Sequence, residues 1–161
     1  MLTLRPTKML AKQLGISVPA TPPAVPSRVA DWCMHGFLLG SDPWLIFCNT
    51  ASLYSVCASA KGVMDGESLA RRAGGMINQV LEKNGLKLQA EKFAAELADF
   101  QWAPIPGRSV LGSINELICL AEPFFDDPDL LPEALSRRLG ETPMSALGMN
   151  NPNHVFGTLR S

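Results

Sequence analysis

The order of two hydrophobic periodicities along the chain constrains the fold more than any other feature. Up to residue 60, short apolar runs rich in aromatic and β-branched residues lie between Gly, Pro, Asn and Asp turns, a pattern typical of strands. After residue 60, apolar residues recur at the spacing of amphipathic helices. Strands and helices segregated in this way indicate the α+β class. We expect a mostly antiparallel sheet of about four to five strands, with the helices packed on one face.

Length and turn residues suggest how the chain is divided. Its 161 residues match one domain at the usual ~100–200 residues per domain. Residues 16–28 include four prolines, which exclude a helix or a central strand and predict an extended arm or loop. Residues 146–161 have turn chemistry and little periodicity. We therefore expect a single domain over residues 1–145, followed by a C-terminal tail.

Several local signals predict individual elements. Thr7 is a suitable N-cap for a short helix over residues 8–14, which Gly15 would end. The uncharged apolar run over residues 44–48 predicts a central strand covered on both faces. Residues 32–39 fit a strand or a helix, and the Gly, Asp and Pro that follow them favour a strand.

Charge excludes some functional classes. The net charge is −1, so no global field attracts nucleic acid or an anionic membrane. Residues 1–28 nevertheless carry four cations and no acid, whereas residues 122–141 have a net charge of −4. The two segments could be complementary, or both could be ordinary solvated faces. The basic residues of the N-terminal segment are too sparse for a surface that reads nucleic acid.

The chain also lacks signals for a membrane or an oxidising compartment. Its longest uncharged stretch, residues 43–60, is interrupted by polar residues, so we expect no membrane span. The basic N-terminus has no apolar run behind it, which predicts a cytoplasmic protein. The four cysteines do not form a C-x-x-C pair and the two histidines are far apart, so we expect reduced thiols, no metal and no cofactor.

A candidate anion site lies at the start of a predicted helix. Ser109 would cap this helix, and Arg108 precedes backbone N–H groups that have no partner inside it. A helix N-terminus beside an arginine favours phosphate or carboxylate. Ser113, Asn115 and Glu116 follow within two turns and complete the candidate ligand-binding set. The structural alternative is that Ser109 is only a cap and that Arg108 pairs with an acid.

Three motifs, in order, resemble a family of proteins. They are L-T-L-R-P-T-K at residues 2–8, R-S-V-L-G-S-I-N at residues 108–115 and L-G-E-T-P at residues 139–143. This arrangement resembles an uncharacterised bacterial family that is catalogued as a domain of unknown function. The second motif is the most specific, and the resemblance extends over residues 1–145. It implies one compact domain and brings no activity with it.

Two functions remain open from the sequence. The first is a protein-interaction or regulatory module, with a protein partner or self-association, as expected of a small domain without catalytic motifs. The alternative is a small enzyme or ligand-binding domain that holds an anion around Arg108 and Ser109. A pocket that converges on Arg108 would favour the alternative, and an exposed apolar patch would favour the interaction module.

Overall fold

The apolar runs of the first sixty residues form four of the five strands of one sheet. The computed structural model describes all residues from 1 to 161. The strands are β1 (Leu2–Pro6), β2 (Asp31–Leu39), β3 (Asp42–Asn49), β4 (Ser55–Ser59) and β5 (Phe100–Trp102). The helices are α1 (Lys8–Leu14), α2 (Gly66–Lys83), α3 (Lys87–Ala94), α4 (Arg108–Ala121), α5 (Pro132–Gly140) and α6 (Pro152–Thr158). Two short 3₁₀ turns cover Glu122–Asp126 and Ser145–Leu147. The expected α+β class and single domain are confirmed.

The sheet is mixed, in the order β4-β3-β2-β1-β5. β2 pairs antiparallel with β3, and β3 with β4, as expected of strands joined by short turns. β1 is parallel to both β2 and β5. Parallel neighbours need a long crossover, and α1 with the proline-rich residues 16–28 supplies the one between β1 and β2. The open question about residues 32–39 is resolved, because they lie within β2.

Caps define the helices that flank the sheet. Thr7 accepts a hydrogen bond from the backbone N–H of Leu10 and begins α1, and Gly15 ends it with a φ of 66°. Only glycine adopts this left-handed conformation without steric cost. Asp65 and Ser68 form a reciprocal capping box at the start of α2.

Helices cover both faces of the sheet, which differs from the expected one-face packing. Because side chains alternate along a strand, Trp32 and Phe47 face a larger core formed with α2, α3 and α6. Ile46 and Cys48 face the opposite core, formed with α4 and α5. The prediction of a central strand covered on both faces is therefore correct for β3, and the prediction that all helices lie on one side is wrong.

The C-terminal residues pack into the larger core, although the sequence predicts a tail for residues 146–161. Phe156 on α6 is fully buried. Its ring stacks on Tyr54 at a centroid distance of 4.8 Å and meets Trp32 edge-on at 5.8 Å. Residues 145–158 look like turns in the sequence because α6 is short and contributes only a few apolar side chains.

None of the helices combines the length and the hydropathy required to cross a bilayer.

Candidate ligand-binding site

The start of α4 differs from the prediction in its cap. The helix begins at Arg108, and its N-cap is Gly107, which has no side chain to accept a hydrogen bond. Ser109 lies within the first turn and is exposed, so the prediction that it caps the helix is wrong. The backbone N–H groups of Arg108, Ser109 and Val110 consequently donate to no acceptor within the protein. The helix dipole adds positive potential at this end.

The five residues predicted to form the site do not all come together. Arg108 borders a cavity beside α1. Ser113 lies on the buried face of α4 and does not line this cavity. Asn115 and Glu116 are exposed and lie about 10–12 Å further along the helix axis, because each residue adds ~1.5 Å. Of the five predicted residues, Arg108 is therefore the one that faces the cavity. The unpaired backbone N–H groups of the first turn of α4 lie beside it.

The cavity has a volume of about 940 Å³. It lies between α1, the first residues of the proline-rich segment and the loop that leads into α4. Its size falls within the ~300–1,000 Å³ that is usual for small-molecule sites. A concave site at Arg108 is the feature that the sequence analysis associates with a ligand-binding domain.

All of the charged side chains that line the cavity are cationic. They are Lys8, Lys12 and Arg108, and no Asp or Glu contributes to the wall. None of the three takes part in an ion pair or donates a side-chain hydrogen bond within the protein. Lys8 and Lys12 are four residues apart, so they lie on one face of α1. The structural alternative, in which Arg108 pairs with an acid, is not what the structure shows.

The rest of the wall is largely apolar. Its aliphatic side chains come from three segments: α1, the residues that follow it and the two ends of the loop into α4. They include Met9, Ile16, Val18, Ile105 and Leu111. No Phe, Tyr or Trp lines the cavity. The chemistry is that of an apolar cleft with a few cationic groups, which suits an anionic group on an aliphatic body.

Thr7 and His35 form a hydrogen-bonded pair in the wall. Thr7 Oγ1 lies 2.9 Å from His35 Nδ1, and it also accepts the N–H of Leu10. Thr7 is only 5% exposed. Either group can be the donor of this hydrogen bond, depending on the tautomer of the imidazole. Burial lowers the pKa of His35, which keeps the ring neutral near pH 7.

Arg5 supports the loop that presents Arg108. It pairs with Asp31 in the buried interior and donates a 2.7 Å hydrogen bond from Nη1 to the carbonyl oxygen of Pro104. This bond joins the end of β1 to the residues just before Gly107. Arg5 is therefore a positioning residue below the cavity, although in the sequence it belongs to the same basic segment as the lysines.

The chain was compared with protein-family models, curated proteins and solved structures. A family model described as a domain of unknown function (DUF6933) matches residues 3–155. The chain belongs to this family. The family resemblance inferred from the sequence motifs is thus confirmed, and membership in DUF6933 carries no described activity. No curated protein and no solved structure gives a significant match.

Sequence reasoning missed most of the residues around Arg108. Four residues of the cavity wall are far from Arg108 in the sequence of this DUF6933 domain, and only the fold brings them to it. They are Thr7, Lys8, Lys12 and His35. One signal was visible: the first 28 residues contain cations and no acid. That imbalance did not indicate which of the cations face a cavity. No three His, Cys, Asp or Glu side chains lie close enough together to hold a metal ion.

Proposed function

We propose that this domain binds a small anionic molecule with an apolar body in the cavity beside Arg108. The single observation that carries the proposal is a cavity of about 940 Å³ whose charged lining residues are three unpaired cations. Cations without a partner on a concave, apolar wall attract an anion.

The three cations come from two separate elements, which adds support. Lys8 and Lys12 project from α1, and Arg108 begins α4 on the other side of the loop held by Arg5. Like charges that share a cleft repel each other, so a bound anion would lower this repulsion and stabilise the domain. A ligand present at 100 times its Kd stabilises a folded protein by ~2.7 kcal/mol.

Thermal unfolding with a matched pair of amphiphiles tests the sign of the preferred charge. We expect octanoate to raise the Tm and octyltrimethylammonium, which has a similar apolar chain and the opposite charge, to leave it unchanged or lower it. Arg108→Gln should remove the octanoate effect, whereas Lys87→Gln, an exposed substitution outside the cavity, should retain it. An equal increase with both amphiphiles, or no increase with octanoate or with any other anionic eight-carbon amphiphile, would refute the proposal.

The second candidate function is the protein-interaction or regulatory module predicted from the sequence. Met9 and Leu38 favour it, because they are 62% and 65% exposed and border one cleft of about 370 Å³. Exposed apolar side chains around a cleft suit self-association. Sedimentation velocity over a range of concentrations tests it: a dimer that Leu38→Gln dissociates would support this function, and a monomer at all concentrations would exclude self-association.

We also propose the cytoplasmic location predicted from the sequence. It is supported by four free cysteines, of which three are buried side by side under α4 and α5 without forming a disulfide. Free thiols are typical of reducing compartments. Fractionation of cells that produce the tagged protein tests the location directly.

A further inference from the structure

The charges of the cavity restrict the kind of anion that fits it. Three cationic groups face the same space, and the neutral His35 adds no fourth charge. A single carboxylate would neutralise one of the three cations and leave two facing an apolar wall. A group that carries two negative charges compensates the site better, since each additional opposite charge close to the cations strengthens the Coulomb attraction.

The hydrogen-bond donors around the cavity also outnumber the acceptor positions of a carboxylate. Arg108 offers a planar guanidinium with five N–H donors, and the first turn of α4 presents unpaired backbone N–H groups beside it. Lys8 and Lys12 add ammonium groups from the side of α1. A phosphomonoester has three terminal oxygens, and both arginine and helix N-termini match it well. Its second pKa is ~6, so it is mostly a dianion near pH 7.

The apolar wall restricts the other end of the ligand. Nucleotide sites commonly stack the base on an aromatic ring and use an acid to bind ribose hydroxyls. The cavity has no Phe, Tyr, Trp, Asp or Glu. It has instead aliphatic side chains such as Ile16, Val18 and Leu111. These contacts suit a branched or linear hydrocarbon chain, which binds by burial of apolar area and needs no directed hydrogen bond.

From these observations we infer that the ligand is an aliphatic phosphomonoester, with the phosphate among Lys8, Lys12 and Arg108 and the hydrocarbon along the apolar wall. This inference rests on the proposed function and names the ligand class of the same site. The chemistry has two sources, a soluble alkyl or prenyl phosphate and a phosphomonoester lipid headgroup in a membrane. In both cases the cavity binds the same two groups, the phosphate and the hydrocarbon chain.

Isothermal titration with four eight-carbon probes and inorganic phosphate tests the ligand class. At pH 8, octyl phosphate is a dianion, octyl sulfate and octanoate are monoanions, and octanol is neutral. We expect octyl phosphate to bind at least about tenfold more tightly than each of the other probes, a difference of ~1.4 kcal/mol. Inorganic phosphate should bind more weakly than octyl phosphate by a similar factor, because it lacks the apolar chain.

The outcomes separate the ligand class from the proposed function. Equal affinities for octyl phosphate, octyl sulfate and octanoate would overturn the dianion inference and leave anion binding intact. Equal affinities for octyl phosphate and inorganic phosphate would overturn the aliphatic body. If none of the three anionic amphiphiles binds, both the inference and the proposed function fail.

Variants show whether binding occurs in this cavity. Lys12→Gln and Arg108→Gln should each reduce the preference for octyl phosphate over octyl sulfate, whereas Lys87→Gln should not. All three substituted positions are exposed, so unchanged melting curves would establish that the fold is retained. A preference that survives in both cavity variants would overturn the assignment to this site.

Sedimentation of the protein with lipid vesicles distinguishes the two sources of the phosphomonoester. Phosphatidylcholine vesicles with and without phosphatidic acid are mixed with the protein and sedimented. Co-sedimentation that requires phosphatidic acid and is lost in Arg108→Gln supports the inference with a lipid as the source. Octyl phosphate binding without co-sedimentation supports it with a soluble ester as the source.

Discussion

Arg5 and Asp31 form a buried ion pair across the parallel strands β1 and β2. Arg5 donates from Nε to Asp31 Oδ1 at 2.7 Å and from Nη2 to Asp31 Oδ2 at 3.2 Å. The side chains are 8% and 10% exposed. Thr50 donates a further hydrogen bond to Oδ1, and Arg5 Nη1 donates to the carbonyl oxygen of Pro104. One pair thus links the middle of the sheet to the loop that leads into α4.

Asp31→Asn should destabilise the domain strongly, because it leaves the buried guanidinium without a countercharge. Removal of one partner of a buried pair typically costs ~3–5 kcal/mol. Lys61→Gln is the control, since Lys61 and Asp42 form an exposed ion pair at 3.6 Å that is worth less than ~1 kcal/mol. Urea unfolding of both variants measures the difference. Similar midpoints for the two variants would contradict the structural role assigned to the buried pair.

Two leucines of α4 test which face of the helix is buried. Leu117 is fully buried against β3, and Leu120, three residues later, is 36% exposed. Leu117→Ala should lower the free energy of unfolding by ~2–5 kcal/mol, because it opens a cavity in the smaller core. Leu120→Ala should cost much less, since a surface substitution changes stability by about 0.5 kcal/mol. The reverse order would show that α4 is rotated about its axis.

Phe156→Ala should destabilise the domain by ~3–5 kcal/mol, as expected for a buried aromatic side chain. The reason is its full burial and its ring contacts with Tyr54 and Trp32. Met149→Ala is a suitable control in the same C-terminal segment, because Met149 is 64% exposed. Thermal unfolding followed by circular dichroism measures both. A tail that contributes nothing to the core would leave both melting temperatures unchanged.

His35 should make stability depend on pH in the mildly acidic range. Burial lowers its pKa in the folded state, so the unfolded chain binds the proton more readily. The contribution of the neutral ring is complete above the unfolded pKa of ~6.5 and decreases as the pH falls below that value. His35→Gln should therefore reduce the loss of stability between neutral pH and pH ~5, compared with the wild type.

The matched control for His35 is His154→Gln, because His154 is exposed on α6. Urea unfolding at several pH values should give the wild-type slope for this control. If His35→Gln and His154→Gln have the same pH profile, the buried Thr7–His35 pair does not cause the dependence.

The four cysteines should react with Ellman's reagent in two classes. Burial raises the pKa of Cys33 to about 11 and that of Cys57 to about 12, and it raises the pKa of Cys48 as well. The thiolate is the reactive form, so these three should react only after unfolding. Cys119 is exposed on α4 and should react first. Cys119→Ser should eliminate the fast phase of the reaction. A count of fewer than four reactive thiols in denaturant would contradict the prediction that all four cysteines are free.

The sequence by itself determined most of the elements of this protein and its class. The caps at Thr7 and Asp65, the end of α1 at Gly15 and the strand character of residues 44–48 are local properties, because they depend on the conformational preferences and hydrogen-bonding groups of adjacent residues. The family resemblance was also readable from local motifs. Ser109 failed as a predicted cap because Gly107 already begins the helix, a choice between neighbouring starts that propensity does not decide.

Only the tertiary structure decided which elements pack against each other and which residues share the cavity. Helices on both sides of the sheet, α6 in the larger core and a cavity shared by Lys8, Lys12, His35 and Arg108 all depend on contacts between residues far apart in the chain. Periodicity shows that a helix has an apolar face, but many partners of similar hydrophobicity could cover that face. The parallel pairing of β1 with β2 and β5 selects among these partners, because it fixes where each crossover must run. That choice brings the basic residues of α1 to the open start of α4.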